Sequence, residues 1–141
     1  MIHQTPIPTV GLVVLKDNEV LLVRHSDKAE HLTNTYGLPS GRIEAGETPK
    51  IAAKRELFEE TGLVTSADSL IELPEQYTAE IMRKDGTMVL FSWTVFLCRG
   101  YSGELVTSSE TYPEWLKISE VGKYNLLPNV EKAIEQALQY K

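Results

Sequence analysis

Apolar residues are grouped along the chain in short runs, separated by polar turns, that are typical of β-strands. A continuous apolar run at residues 10–15 predicts a strand buried on both faces, and residues 20–23 predict its hairpin partner. Residues 1–8, which include two prolines, predict an extended lead-in. Four further strands are expected at residues 69–73, 76–83, 87–99 and 114–118. The strand at 87–99 is apolar on both sides, which predicts a central position in the sheet.

Local start and stop signals predict two helices. The first spans residues 49–61, because Thr48 can cap it, Pro49 fits its first position and Gly62 suits a left-handed ending. The second opens at Pro128 and carries an apolar stripe with helical spacing. The order of strands, helix, strands, helix favours an α/β or α+β fold.

Composition narrows the class of protein. The chain has 141 residues, enough for one domain with a sizeable core, so a single domain over residues 1–141 is expected. Its net charge of −6 argues against binding a nucleic-acid polymer or an anionic membrane. Cys98 is the only cysteine, which excludes an internal disulfide. No apolar run could span a bilayer and no leader pattern is evident, so a cytoplasmic location is the expectation.

The first predicted helix carries an unusual cluster of acidic residues. Glu56, Glu59 and Glu60 are spaced i, i+3, i+4, which places all three carboxylates on one helix face. Like charges at this spacing disfavour a helix by about 0.2–0.5 kcal/mol per pair, and the helix C-terminus prefers cations. A solvated acidic face is one interpretation. A site for Mg²⁺ or Mn²⁺ is the other, with Arg55 holding a neighbouring carboxylate in orientation.

The spacing of residues around this helix decides between the two interpretations. A glycine loop at residues 41–47 precedes the helix, and the whole stretch 41–63 resembles the signature of the Nudix (MutT-like) hydrolase family, the Nudix box. The matching positions are Gly41, Glu47, Arg55, Glu56, Leu57, Glu59, Glu60, Gly62 and Leu63. The resemblance covers most of the chain and implies a Nudix-type α/β/α sandwich with a mixed central sheet.

The same resemblance implies a reaction and a set of roles. Relatives hydrolyse a nucleoside diphosphate linked to another moiety, and water attacks phosphorus as a pyrophosphate bond breaks. Glu56, Glu59 and Glu60 would bind the divalent metal, and Glu59 or Glu60 could also assist the water. The Gly41 carbonyl would be a further ligand, and Arg55 would orient a glutamate. Glu47 is expected to hold the loop to the helix.

Residues outside the Nudix box complete the predicted site by resemblance. A downstream glutamate often joins the metal ligands, and Glu110 is the first choice for it, with Glu114 as the alternative. Arg24 resembles a phosphate-contacting residue, although it could be an ordinary surface arginine. Asn129 resembles a base-reading asparagine, although it could be a helix-start residue with a local hydrogen bond.

Histidines and aromatic residues are further candidates on the substrate side. His25 and His31 are candidate substrate contacts, although loop histidines usually have no special role. Five aromatic residues could stack on a base, although most aromatic residues in such strands belong to the core: Tyr36, Tyr77, Phe91, Trp93 and Trp115.

Three functions fit the sequence. The first is Mg²⁺-dependent hydrolysis of a small nucleotide, specifically a nucleoside triphosphate in a housecleaning role. The second is hydrolysis of ADP-ribose or a nucleotide sugar, and the third is a non-catalytic nucleotide-binding regulatory module. Some relatives are dimers, so a homodimer is one possible assembly.

Overall fold

The computed structural model describes residues 5–25, 34–83, 85–108 and 111–140. Seven strands and two helices make up its regular structure, together with short 3-10 turns at Ala67–Ser69 and Ile118–Lys123. The strands are β1 (Ile7–Lys16), β2 (Glu19–His25), β3 (Tyr36–Gly37), β4 (Ser40–Arg42), β5 (Leu70–Met82), β6 (Met88–Cys98) and β7 (Thr111–Lys117). The helices are α1 (Pro49–Thr61) and α2 (Val130–Gln139).

The strands form a mixed sheet, as predicted. Strand β6 lies between β1, which it pairs in parallel, and β5, which it pairs antiparallel. Strand β4 pairs antiparallel with the other edge of β1. Strand β2 pairs with β1 only near their shared hairpin and then runs antiparallel to β7, with β3 at its other edge. The predicted central position of the strand at 87–99 is therefore confirmed.

Alternation along β1 places the two helices on opposite faces of the sheet. Val10, Leu12 and Val14 pack in one apolar cluster with Ala52, Ala53 and Leu57 of α1. Val13 packs in a second cluster, on the other face, with Val130, Ile134 and further residues of α2. Because successive side chains of a strand point to opposite faces, the sheet lies between the helices, which is the predicted α/β/α sandwich.

Four predicted boundaries were wrong. The strands expected at 69–73 and 76–83 are one strand, β5. A shift in its pairing register between Glu72 and Gln76 interrupts the apolar alternation, and the sequence pattern was therefore interpreted as two strands. Strand β1 begins at Ile7, inside the expected lead-in, and β7 starts three residues earlier than expected. Pro128 does not open α2, because the helix starts at Val130 after a left-handed cap residue. Among the described residues no helix is long and apolar enough to cross a membrane.

Substitution of Gly62 tests how firmly the end of α1 is fixed. Gly62 has φ +85°, and a Cβ there would lie 2.7 Å from the Glu104 carbonyl oxygen. Gly46 has φ +86° but has no neighbouring atom within 4 Å of such a Cβ. Gly46→Ala is expected to lower the free energy of unfolding by about 1–2 kcal/mol, the cost of the left-handed conformation. Gly62→Ala should cost about 1–3 kcal/mol more, because the added methyl also overlaps backbone. Urea denaturation measures both variants, and equal losses would contradict the close packing at Gly62.

Candidate active site

The glycine loop joins α1 through a tightly capped helix start. The Thr48 hydroxyl accepts a hydrogen bond from the Ile51 N–H at 3.2 Å, and Pro49 occupies the first turn. Gly62 ends the helix in the left-handed conformation. All three features match the sequence predictions, so α1 has the bounds that were expected.

Arg55 ties the loop to the helix. Its Nε donates to Glu47 Oε2 at 2.6 Å and its Nη2 donates to Glu47 Oε1 at 2.8 Å, a bidentate pair. Nη2 also donates to the Arg42 carbonyl at 3.0 Å, at the end of β4. Hydrogen bonding to Arg55 is the main reason that the pKa of Glu47 falls to about 2, and the Glu44 N–H adds to it. The same bonds to Glu47 raise the pKa of Arg55 further above its usual value.

Two of the three glutamates of α1 share Arg55 as a partner, and the third bonds to the backbone of β4. Glu56 Oε1 accepts from Arg55 Nη1 at 2.6 Å, and Glu59 Oε2 accepts from the same nitrogen at 3.2 Å. Glu60 Oε1 accepts from the Ser40 N–H of β4 at 2.7 Å. The Glu56 side chain is 13% exposed and that of Glu59 is 52% exposed. Burial raises the pKa of the Glu56 carboxyl, and the Arg55 guanidinium opposes that rise.

Gly41 lies directly against the Glu56 carboxylate. A Cβ built on Gly41 would meet all three carboxyl atoms of Glu56 well inside van der Waals contact. Only glycine therefore lets the β4 backbone approach this carboxylate so closely. The contact brings the main chain of the loop next to the acidic face of α1.

Two adjoining cavities open beside β4. The first, called here the charged cavity, has a volume of about 100 Å³ and includes Gly41 and Glu60 in its wall. The second, called here the apolar cavity, is a narrow slot of about 30 Å³ whose wall includes Leu38, Tyr77 and Asn129. Ser40, Trp93 and Leu127 line both, so the cavities are contiguous. The charged cavity is completed by Thr9, His25, Arg42, Ile81, Arg83 and Phe91.

Comparisons with known proteins agree with this geometry. The family model of the NUDIX domain matches residues 5–139. This chain belongs to the Nudix family. An 8-oxo-dGTP diphosphatase from Escherichia coli (strain K12) is 30% identical over 125 residues, which cover 89% of this chain and 90% of the relative. The ADP-ribose pyrophosphatase of Methanocaldococcus jannaschii is 29% identical over 140 residues, or 96% of this chain and 75% of the relative. The crystal structure of a MutT protein from Methanosarcina mazei Go1 superposes with a TM-score of 0.78 at 20% identity, covering 99% and 98% of the two chains.

The donor set of this Nudix hydrolase fits a hard divalent cation, the class of ion that hydrolases of this family generally use. Glu56, Glu59 and Glu60 offer carboxylate oxygens, and the backbone of Gly41 approaches Glu56 as only glycine can. Within the described residues, which leave out Glu110, no three acidic, histidine or cysteine side chains are already gathered around one point. Glu59 is half-exposed, so its side chain can change rotamer by giving up the hydrogen bond to Arg55 Nη1.

Glu114 and Arg24 contact each other near the end of the β2–β7 pair. Arg24 Nε lies 3.6 Å from Glu114 Oε1, and its guanidinium carbon lies 4.5 Å from the centre of the Tyr112 ring. The Tyr36 hydroxyl donates to Glu114 Oε2 at 3.4 Å. His25, the next residue of β2, points to the other face and lines the charged cavity. Neither Glu114 nor Arg24 lines the two cavities as described.

The remaining candidates are divided between the cavities and the core. Tyr77 and Trp93 line the apolar cavity, whereas Trp115 packs against Tyr101 with ring centres 5.7 Å apart. Glu110 and His31 lie outside the described residues. Sequence reasoning did not single out Arg83. Its one signal was a cation at a strand end, just before the Asp-Gly turn.

Asn129 lies at the start of α2, as one interpretation expected, but its side chain bonds to a strand. It caps α2 with φ +70°, a conformation that asparagine tolerates, but its side chain does not cap the helix. The Nδ2 donates instead to the Thr78 carbonyl of β5 at 3.3 Å. The expected local hydrogen bond is therefore wrong, and the amide lies in the wall of the apolar cavity.

Loss of the Glu47–Arg55 pair is expected to impair the Nudix box without unfolding it. Glu47→Gln removes the charge that holds Arg55, so Arg55 should shift toward Glu56 and Glu59. Activity or metal affinity should fall about 10- to 100-fold, as for other residues that orient ligands. Glu44→Gln is the control, because the Glu44 side chain is 67% exposed and its carboxylate lies 3.8 Å from Arg55. Equal effects of the two variants in a metal titration of kcat/KM would contradict the assigned role.

Proposed function

We propose that this Nudix hydrolase cleaves a pyrophosphate bond of a nucleoside triphosphate, with Mg²⁺ or Mn²⁺ held by Glu56, Glu59, Glu60 and the Gly41 carbonyl. The observation that carries this proposal is the pair of contiguous cavities. One is lined by charged side chains and by three residues of the Nudix box, and the other is apolar, with Tyr77 and Trp93 in its wall. A nucleotide has the same division into a polyphosphate and a base.

The apolar cavity suits a flat aromatic base. Tyr77 and Trp93 supply aromatic surface, and Asn129 supplies an amide for a base edge. The slot is narrow, so an entering base has to spread its walls. The long Asn129–Thr78 hydrogen bond is a weak restraint that such an opening would break.

Each Nudix-box residue has a defined task in this proposal. Bound Mg²⁺ or Mn²⁺ would neutralise phosphate charge and lower the pKa of a bound water. Glu59 or Glu60 accepts a proton from the attacking water, which forms a new bond to phosphorus as the bridging oxygen leaves. Arg55 holds Glu56 in orientation, and Glu47 holds Arg55. By the family resemblance alone, Glu110 is proposed as a further ligand and Arg24 as a phosphate contact.

A substrate panel tests the function. The purified chain is incubated with Mg²⁺, with Mn²⁺ or with a chelator, and with nucleoside triphosphates including 8-oxo-dGTP, with ADP-ribose and with a nucleotide sugar. We expect metal-dependent release of pyrophosphate and a nucleoside monophosphate from a triphosphate. Preferential cleavage of ADP-ribose would support the alternative suggested by the archaeal relative. Nucleotide binding without turnover across the panel would instead indicate a non-catalytic module.

Asn129→Gly should change which nucleotides are preferred. Glycine keeps the left-handed backbone at this position and removes only the amide, so α2 should stay intact. We expect the ranking of kcat/KM among adenine, guanine and pyrimidine triphosphates to change by about 10-fold, the loss of about one good base contact. Asn129→Asp, which replaces the donor by an acceptor, should change the ranking in a different way. An unchanged ranking in both variants would remove Asn129 from base recognition.

A further inference from the structure

The wall of the charged cavity that faces away from α1 is formed by the ends of β5 and β6. Arg83 follows β5 directly, and its N–H donates to the Thr87 carbonyl at 2.9 Å across the turn. Ile81 and Arg83 lie two residues apart, so their side chains point to the same face, and both line the cavity. Phe91, from β6, adds an apolar surface beside them.

The charges of this cavity are divided between its walls. Glu60 and Gly41 of the Nudix box form one side, and Arg83 enters from the other. Arg42 also reaches the cavity but lies beside Gly41, on the Nudix-box side. The Nε atom of Arg83 is enclosed by protein rather than solvent. Partial burial of the guanidinium strengthens its attraction to an anion, because less water screens the two charges.

A polyphosphate is the ligand that best fits these two walls. The planar guanidinium presents N–H donors in a fork that matches two oxygens of a phosphate. Phe91 and Trp93 give this cavity aromatic surface as well, so charge is what distinguishes it. Among the described residues, Arg42, Glu60 and Arg83 line it, whereas no charged side chain lines the apolar cavity. Phosphates placed in this cavity would be neutralised by Arg83 on one side and by the divalent cation that the Nudix-box carboxylates would hold on the other.

We propose that Arg83 binds phosphate oxygens of the substrate, opposite the Nudix-box carboxylates, and thereby favours ligands that carry a polyphosphate over those that carry none. This inference rests on the proposed function and adds a residue from outside the Nudix box. Arg83 acts as a substrate-binding residue, and its contact is with the polyphosphate rather than with the nucleoside.

Binding measurements on intact variants test the role of Arg83. The probes are a nucleoside triphosphate analogue with methylene groups in place of the bridging oxygens, the corresponding nucleoside, and inorganic tripolyphosphate, each with Mg²⁺. Arg83→Gln is expected to raise the Kd of the analogue and of tripolyphosphate about 10- to 100-fold, and to leave nucleoside binding unchanged. Arg83→Lys should recover part of the loss, because it keeps the charge but not the fork.

Arg99→Gln is the matched control, because Arg99 also follows a strand but donates to the Tyr140 carbonyl away from the charged cavity. An Arg83→Gln variant that binds tripolyphosphate as the wild type does would overturn the inference. Loss of nucleoside binding in the same variant would also overturn it, since Arg83 would then contact the base. If wild-type protein binds tripolyphosphate but not the analogue, the nucleotide function fails while the anion site stands. Failure to bind either probe rejects both.

Discussion

Glu60→Gln is expected to lower kcat for pyrophosphate hydrolysis by about 10²- to 10⁴-fold, the range typical of a lost proton-transfer group. The glutamine oxygen can still accept the hydrogen bond that Glu60 now accepts from the Ser40 N–H. The substitution therefore removes the negative charge and the proton acceptor while keeping the link between α1 and β4. Glu59→Gln should have a similar effect on activity, because Glu59 belongs to the same proposed metal site.

Stability distinguishes a functional role of these carboxylates from a structural one. Glu60 lies four residues after Glu56, and this like-charge pair disfavours the helix by about 0.2–0.5 kcal/mol. The last turn of α1 also places Glu60 at the negative end of the helix dipole. Glu60→Gln should therefore unfold at the same urea concentration as the wild type or a slightly higher one. A variant that is inactive yet as stable as the wild type indicates that the Glu60 carboxylate is needed for hydrolysis rather than for folding.

The measurements for this prediction are direct. Initial rates are compared at saturating Mg²⁺, and the midpoint of thermal unfolding is followed during a Mn²⁺ titration. Wild-type protein should be stabilised by the metal, and the variants should lose most of that effect. Glu135→Gln, which removes one charge from the exposed face of α2, is the control. Rates near that of the wild type in both Glu59→Gln and Glu60→Gln would remove these residues from the mechanism.

The sequence predicted α1 best because its signals are local. Thr48, Pro49 and Gly62 each act within one turn of the chain, so the bounds of the helix needed no tertiary information. The acidic face was equally readable from spacing. The hydrogen-bond partner of each carboxylate could not be predicted from spacing, because the Ser40 N–H reaches Glu60 only after β4 has paired with β1.

Long-range pairing explains what sequence reasoning missed. Strands β3 and β4 are only two and three residues long, too short to show a periodic pattern. The irregularity in β5 interrupts the alternation that would have identified one strand. Arg83 was predicted only as the last residue of a strand, because its place in the charged cavity depends on how β5, β6 and β4 are arranged around β1.

Gly41→Ala is expected to reduce activity about 100-fold or more while leaving most of the fold intact. A Cβ at Gly41 would overlap the Glu56 carboxyl carbon, so the carboxylate has to move. A displacement of about 1 Å at a reacting centre can cost about 10²-fold in rate. Gly46→Ala, in the same loop, is the control for activity, because no atom lies within 4 Å of its added methyl group.

A double-mutant cycle shows whether the effect of Gly41→Ala is this steric one. Glu56→Asp shortens the side chain by one methylene and withdraws the carboxylate from the space that the new methyl group needs. The free-energy cost of Gly41→Ala should therefore be smaller in the Glu56→Asp background than in the wild type, a coupling expected only between residues in contact. Denaturant unfolding measures that coupling independently of turnover. If the two free-energy costs are additive, alanine at position 41 acts through the β4 backbone instead. The requirement for glycine at this position would then have a cause other than the close approach of Gly41 to Glu56.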